Sequence, residues 1–225
     1  MSLLIHAISA SPCDEPPRGL AGVPLVWVPA GELGLWASPS EGPLDRELVF
    51  DHHRIVEQLC ARTACLPVRF GQRVEDEDVA RERLAARAGE LGATLRRIGG
   101  RQEIAITLLW QCSPVIEGRG HRVQASTPGR RFLETRGQAF ADEDGRRAAA
   151  EALAERLVRE LAVDQADVRH AICPAPDLAL SSSLLAVPGA AEQAKEDAVR
   201  VTATLEGVRA VVSGPWPPYT FAETA

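Results

Sequence analysis

Lysine occurs once in this chain, at Lys195, methionine once and tyrosine once, and aromatic residues make up only 4% of the sequence. Positive charge therefore rests on arginines interspersed with acidic neighbours. The formal net charge of −6 offers no basic face of the kind that nucleic acid binding requires. Cysteine is scarce and scattered: Cys13, Cys60, Cys65, Cys112 and Cys173 are odd in number and include no C-x-x-C. That spacing argues against a disulfide framework and a zinc site, and reduced thiols in a cytoplasm are the simple expectation. No apolar run approaches the roughly 18 residues of a membrane span. Met1 to Ala10 has no basic start and is interrupted by His6, so it does not read as a secretory signal. Nucleotide motifs are missing as well. Gly118-Arg119-Gly120 is followed by neither Lys-Ser nor Lys-Thr, so it lacks the context of a phosphate cradle.

What is present is an ordinary globular balance, 45% hydrophobic and 25% charged residues over 225 positions. Leu3 to Ile8 and Pro24 to Pro29 read as strands, with a Pro- and Gly-broken loop between them. Gly31 to Gly42 reads mostly as turn, with Leu33, Leu35 and Trp36 as packing contacts. Asp45 is a helix N-cap candidate, and Leu48, His52, Ile55, Val56, Leu59 and Thr63 follow at helical spacing. Leu66-Pro67-Val68-Arg69-Phe70 alternates as a half-buried strand, with Pro67 placing it at a strand start or a sheet edge and Gly71 ending it. Glu75 to Asp78 opens one helix that carries Leu84, Ala88, Leu91, Leu95 and Ile98 and stops at Gly99-Gly100. A domain boundary is placed there, giving residues 1–99 and 100–225.

The second half reads as a strand at Glu103–Trp110, a long loop over Ser113–Arg131 and a helix over Asp142–Leu161. Strands at Asp167–Cys173 and Leu178–Val187 follow, then a helix bearing Ala194, Ala198, Val201 and Leu205 that Gly207 ends, then a strand at Val208–Val212. The order β-α-β-β-α-β is the split βαβ, ferredoxin-like plan. The chain is thus expected to be α+β with two domains. Gly214 should end the last strand. Pro215, Pro217 and Pro218, with Trp216 among them, should then form a stiff extended arm that neither continues a ladder nor enters a helix. Trp216, Tyr219 and Phe221 on such an arm must cover something: the protein's own core, or a partner for which aromatic residues serve as anchors.

Candidate chemistry is thin. Asp51-His52-His53 suggests the metal-binding triplet of a phosphoesterase, so a small metal-dependent hydrolase is the alternative reading. The triplet lies inside a helical pattern, however, where adjacent residues fan out by about 100° and cannot converge on one ion. Ser181-Ser182-Ser183 lies within a strand, without the sharp turn of a nucleophilic serine, and His170 makes only a loose pairing with it. Glu75 to Asp78 is explained by the helix dipole and lacks the pattern of a calcium loop. Arg69, on the less apolar strand face, suits a carboxylate between the domains or a binding partner. Pro217-Pro218 is a crude ligand for a proline-binding module. No catalytic residue, cofactor or metal site is assigned.

Gly214-Pro215-Trp216-Pro217-Pro218-Tyr219-Thr220-Phe221 and Leu66-Pro67-Val68-Arg69-Phe70-Gly71 together resemble the two signatures of the gas vesicle protein F/L (GvpL/GvpF) family. Chain length and element order match too. Thr220 stands where that family often has serine, and Leu4-Ile5-His6-Ala7 stands where its first strand often carries tyrosine. The resemblance implies two α+β domains, the second a modified ferredoxin-like fold. It also implies a non-enzymatic accessory role in gas vesicle assembly, in the cytoplasm and at the vesicle. The implied partners are the hydrophobic shell subunit and other accessory proteins. Possible covering surfaces are the exposed side of the second sheet, the crevice between domains and the arm around Trp216. A two-domain adaptor without vesicle involvement is the third reading.

Overall fold

A computed structural model describes residues 2–111, 128–172 and 177–222, with side chains from residue 143 onward in the second of these segments. The fold is α+β, and the described residues form two antiparallel sheets and five α-helices. The chain divides into two compact units: Met1–Glu103 with Leu185–Ala191 and Pro215–Ala225, and Ile104–Leu184 with Glu192–Gly214. The chain therefore returns twice to the first unit, the second time for its last residues.

The first unit is built on a sheet of β1 (Leu3–Ser9), β2 (Val26–Ala30), β3 (Leu33–Pro39), β4 (Cys65–Pro67) and β5 (Arg73–Val74), ordered β2-β3-β1-β4 with β5 also pairing β1. The stretch read as turn is in fact β3, paired to both β2 and β1. The turn is confined to Gly31-Glu32, where Gly31 takes φ +67. Nearly all of β3 is buried, so it shows no alternation of apolar and polar residues to read. Gly34 is required within it because the Trp27 ring lies where a Cβ would sit.

Both faces of this sheet are covered. Leu4, Ala7 and Trp36 pack with Ile55 and Leu59 of α1 (Arg46–Arg62). Leu3, Ile8, Val28 and Leu35 pack with Ala80 and Leu84 of α2 (Glu77–Ala86) and with Leu91, Leu95 and Ile98 of α3 (Ala88–Ile98). The single helix expected between residues 75 and 98 is thus two. Arg87 leaves helical geometry at φ −118, ψ 10, and its N–H closes on Leu84 O in a tightened last turn. Asp45 caps α1 as expected, accepting from Leu48 N–H, and Asp76 of the acidic run caps α2, accepting from Val79 N–H.

The second unit contains most of β6 (Gln102–Trp110), α4 (Pro128–Leu161), β7 (Val168–Ile172), β8 (Leu178–Ala186), α5 (Ala191–Thr202) and β9 (Val208–Trp216), with strand order β7-β8-β6-β9. Element order and strand order are those of the split βαβ plan. Ile104, Ile106 and Leu108 of β6 are buried, while Ala105, Thr107 and Leu109 between them are half-buried. α4 begins at Pro128, ahead of the expected Asp142; proline suits the first turn of a helix, where its missing N–H costs no bond. The rest of the expected loop at 113–127, with Gly118-Arg119-Gly120, Cys112 and Cys173, lies outside the described residues.

The last strand corrects the sequence reading most. β9 does not stop at Gly214 but runs through Pro215 to Trp216. It lies at the end of the strand order, and an edge strand tolerates proline because one side of its backbone has no ladder to serve. Gly214, at φ +115, supplies the local conformation that other residues avoid, and the lone Lys195 donates to its carbonyl at 2.6 Å.

Candidate functional site

α1 presents its Asp-His-His triplet in three directions. Asp51 is partly exposed and pairs with Arg54 at 2.7 Å. His52 is on the buried stripe with Ile55, Val56 and Leu59. His53, one residue on, meets the C-terminal arm. The three offer no shared ligand position, and among the described residues no group of three His, Cys, Asp or Glu side chains comes together.

His52 instead meets His6, a residue the sequence reading noted only as a break in an apolar run. The β1–β3 register shifts between Ile5 and Ala7, so His6 is the extra residue of a β-bulge. The bulge lets His6 and Ala7 both turn toward α1, while Ile5 and Ile8 pack on the opposite face. His6 Nδ1 lies 2.9 Å from His52 Nδ1, His6 Nε2 2.8 Å from Ser38 Oγ, and His52 Nε2 2.9 Å from the Val68 carbonyl. Carbonyl oxygen only accepts, so His52 donates from Nε2 and accepts at Nδ1. His6 then donates from Nδ1 and accepts the Ser38 hydroxyl at Nε2, while Ser38 Oγ accepts from Leu20 N–H. Every group is satisfied with both rings neutral. Burial, reinforced by the neighbouring His52, pushes the His6 pKa down to about 3. Burial also lowers that of His52, against the raising effect of its bond to Val68.

This network holds the first motif. Leu66, Pro67 and Val68 are buried, Arg69 is exposed, and Val68 N–H donates to His6 O at 2.9 Å. Pro67 sits on β4 at the end of the strand order, as its chemistry requires. Phe70 does not share the face of Leu66 and Val68. The ladder ends at Pro67, alternation lapses before Gly71 turns at φ +97, and the Phe70 ring packs edge-on 5.5 Å from His52.

The second motif also departs from the stiff extended arm. Pro218, at φ −78 and ψ 60, is the centre of an inverse γ-turn closed by Tyr219 N–H on Pro217 O at 2.8 Å. A 3-10 turn over Tyr219–Phe221 follows, and the chain folds back on the first unit. Phe221 is buried in the cluster of α2, α3 and the sheet, and its carbonyl accepts from Arg97. Thr220 donates from its backbone N–H (2.9 Å) and its hydroxyl (2.6 Å) to the two oxygens of the buried Glu103 carboxylate. Tyr219 stacks on His53 at 6.2 Å, with its phenol pKa raised by burial, and Trp216 approaches His53 edge-on at 5.5 Å. Trp216 remains 38% exposed. Of the three aromatics, Phe221 belongs to the core and Trp216 to the surface. Glu103 and Arg97 are contributors that motif reading misses, and it singles out His53 only within the Asp51-His52-His53 triplet; no local pattern announces their contacts with the arm.

The remaining candidates form no site among the described residues. His170 is exposed and opposite Ser182 in the β7–β8 register, within a regular strand pair without the turn a nucleophilic serine needs. Glu77 and Asp78 pair with Arg81 at the start of α2.

Residues 3–223 match the model of a family described as gas vesicle synthesis protein GvpL/GvpF. No curated protein matches the chain. Its fold is similar to the crystal structure of the gas vesicle protein GvpF from Anabaena sp. PCC7120, at 17% identity and TM-score 0.76, covering 98% of this chain and 95% of that one. It is likewise similar to GvpF from Microcystis aeruginosa, at 15% identity and TM-score 0.76, covering 98% of each chain.

Proposed function

Because the chain belongs to the GvpL/GvpF family and so has a role in gas vesicle assembly, we propose that it works by binding the hydrophobic shell subunit, other accessory proteins, or both, without catalysis. The observation that carries this reading is the family match across residues 3–223. The physical task follows from the partner. A subunit with a large apolar face aggregates before it assembles, and a factor that covers that face and then releases it prevents this. Such holding needs binding surface and no nucleotide. It would take place in the cytoplasm and at the growing vesicle.

Two surfaces suit the task. One is Trp216, partly exposed yet fixed against His53, an anchor that loses little freedom on binding. The other is the half-buried row Ala105, Thr107 and Leu109 of β6, with exposed Val211 on β9. The test is coexpression of the full chain with the shell subunit, with Trp216→Ala alongside. The wild type should keep the subunit in solution and copurify with it, and the variant should fold but retain less. A folded wild type that retains no shell subunit overturns shell binding and moves the search to accessory partners. A metal assay and a phosphodiester screen check the alternative hydrolase directly.

A further inference from the structure

Cys60 and Cys65 are five residues apart, one in the last turns of α1 and the other the first residue of β4, and their sulfurs lie 2.7 Å from each other. A disulfide needs about 2.05 Å, so closure asks for a movement of well under an ångström. The two thiols differ in access. Cys65 is buried, whereas Cys60 is half-exposed and lines a pocket of about 330 Å³. Glu57, Arg101, Gln102, Pro215 and Pro217 also line it. A carboxylate residue, a guanidinium residue and an amide residue lining the pocket of the half-exposed Cys60 suit a small zwitterionic molecule that carries its own sulfur. Motif residues Pro215 and Pro217 form part of the wall, and Cys65 immediately precedes the other motif at Leu66.

We propose that Cys60 and Cys65 form a reversible disulfide by exchange with a low-molecular-weight, zwitterionic disulfide of the glutathione type that enters this pocket. The Cys60 thiolate attacks one sulfur of R–S–S–R, forms a mixed disulfide and releases RS−, which takes up a proton. Cys65 then loses its proton to solvent and attacks the Cys60 sulfur, and the second RS− leaves and is protonated. Two protein thiols are oxidised by two electrons, and one R–S–S–R is reduced to two RSH. The order of events follows from the environments. Cys65 is held as the neutral thiol by its hydrogen bond with Cys60 and by burial, which together raise its pKa, so it resolves the intermediate and does not start the reaction. The bond ties α1 to β4 beside both motifs. The inference rests on the sulfur geometry and the pocket, not on the proposed partner.

The test incubates the full chain with glutathione disulfide, blocks remaining thiols and maps peptides by mass. The wild type should yield a Cys60–Cys65 linkage, lighter by two hydrogens and reversed by reduced glutathione. Cys65→Ser should stop with glutathione on Cys60, and Cys60→Ser should give neither product. Arg101→Ala should slow closure several-fold with glutathione disulfide but not with uncharged hydroxyethyl disulfide. A lasting glutathione adduct on Cys60 of the wild type overturns the proposal, as does a linkage to another cysteine such as Cys13. Unchanged modification of Cys65 in Cys60→Ser also overturns it, and equal slowing with both disulfides overturns the pocket's part. The wild-type map stands alone if a serine variant fails to fold.

Discussion

Lowering the pH should unlock the first unit through His6. Its folded pKa is about 3 against an ordinary 6.5, so between those values the unfolded chain binds a proton that the folded chain refuses. Stability therefore rises with pH across that window: it is fully present above about 6.5 and drains away as the solution is acidified. At about pH 4.5 the unfolded ring is two units below its pKa and almost fully charged, while the folded ring is still neutral. The loss from His6 is then on the order of 3 kcal/mol, at roughly 1.4 kcal/mol per unit. His52, shifted in the same direction, adds to it. The assay is urea unfolding at about pH 7 and about pH 4.5, followed through the fluorescence of the packed Trp27–Trp36 pair, which reports on this unit. His6→Gln serves as the reference, since it shares every carboxylate with the wild type. It is less stable at neutral pH because His52 Nδ1 loses its donor, but between the two pH values it should lose less stability than the wild type by about that amount. Equal losses in the two proteins would refute the neutral, desolvated His6–His52 pair.

Phe221→Ala should cost about 3–5 kcal/mol of stability, the usual range for removing a buried aromatic, whereas Trp216→Ala, cutting a ring already 38% exposed, should cost much less; denaturant midpoints of the two variants check the order, and equal costs would mean that Trp216 is core. Gly34→Ala should destabilise the β2–β3 hairpin more than a routine strand substitution, because the added methyl overlaps the Trp27 ring; thermal melting with and without a compensating Trp27→Leu checks this, and failure of the second change to recover stability would put the strain elsewhere.

Where one face of an element meets water, the sequence announced it. Asp45 caps α1, the α1 stripe holds Ile55, Val56 and Leu59, and the second half's element order follows from its periodicity. The misses share a physical cause: the signal was erased by burial or depended on a distant partner. β3 is covered on both sides, so Leu33, Leu35, Trp36 and Ala37 make no alternating pattern, and Gly34 looks like a breaker until the Trp27 ring is seen above it. β9 continues through Pro215 because it is an edge strand, a property of the sheet and not of the local residues. His6 meets His52 only because a bulge adds one residue to β1, and a one-residue slip has no signature in composition. The site shows the same division. Both motifs were visible as stretches, but the pairing of Thr220 with Glu103, and of Trp216 and Tyr219 with His53, was not.

That division bears on how the C-terminal motif should be tested. Its residues do different things within eight positions. Gly214 and Pro215 let an edge strand run on, Pro218 reverses the chain, and Thr220 and Phe221 fasten it to Glu103 and to the core. Trp216 is the aromatic that remains well exposed after all this, and it is held by His53 beneath it. Deleting the arm would therefore remove a buried aromatic and leave the Glu103 carboxylate without Thr220, unfolding the unit and any binding surface together. A loss of assembly after such a deletion would carry no information about docking. Trp216 and His53 can be changed with the fastening intact, and a defect confined to those variants would assign the surface, because the parts that make the fold and the part that faces outward are different side chains.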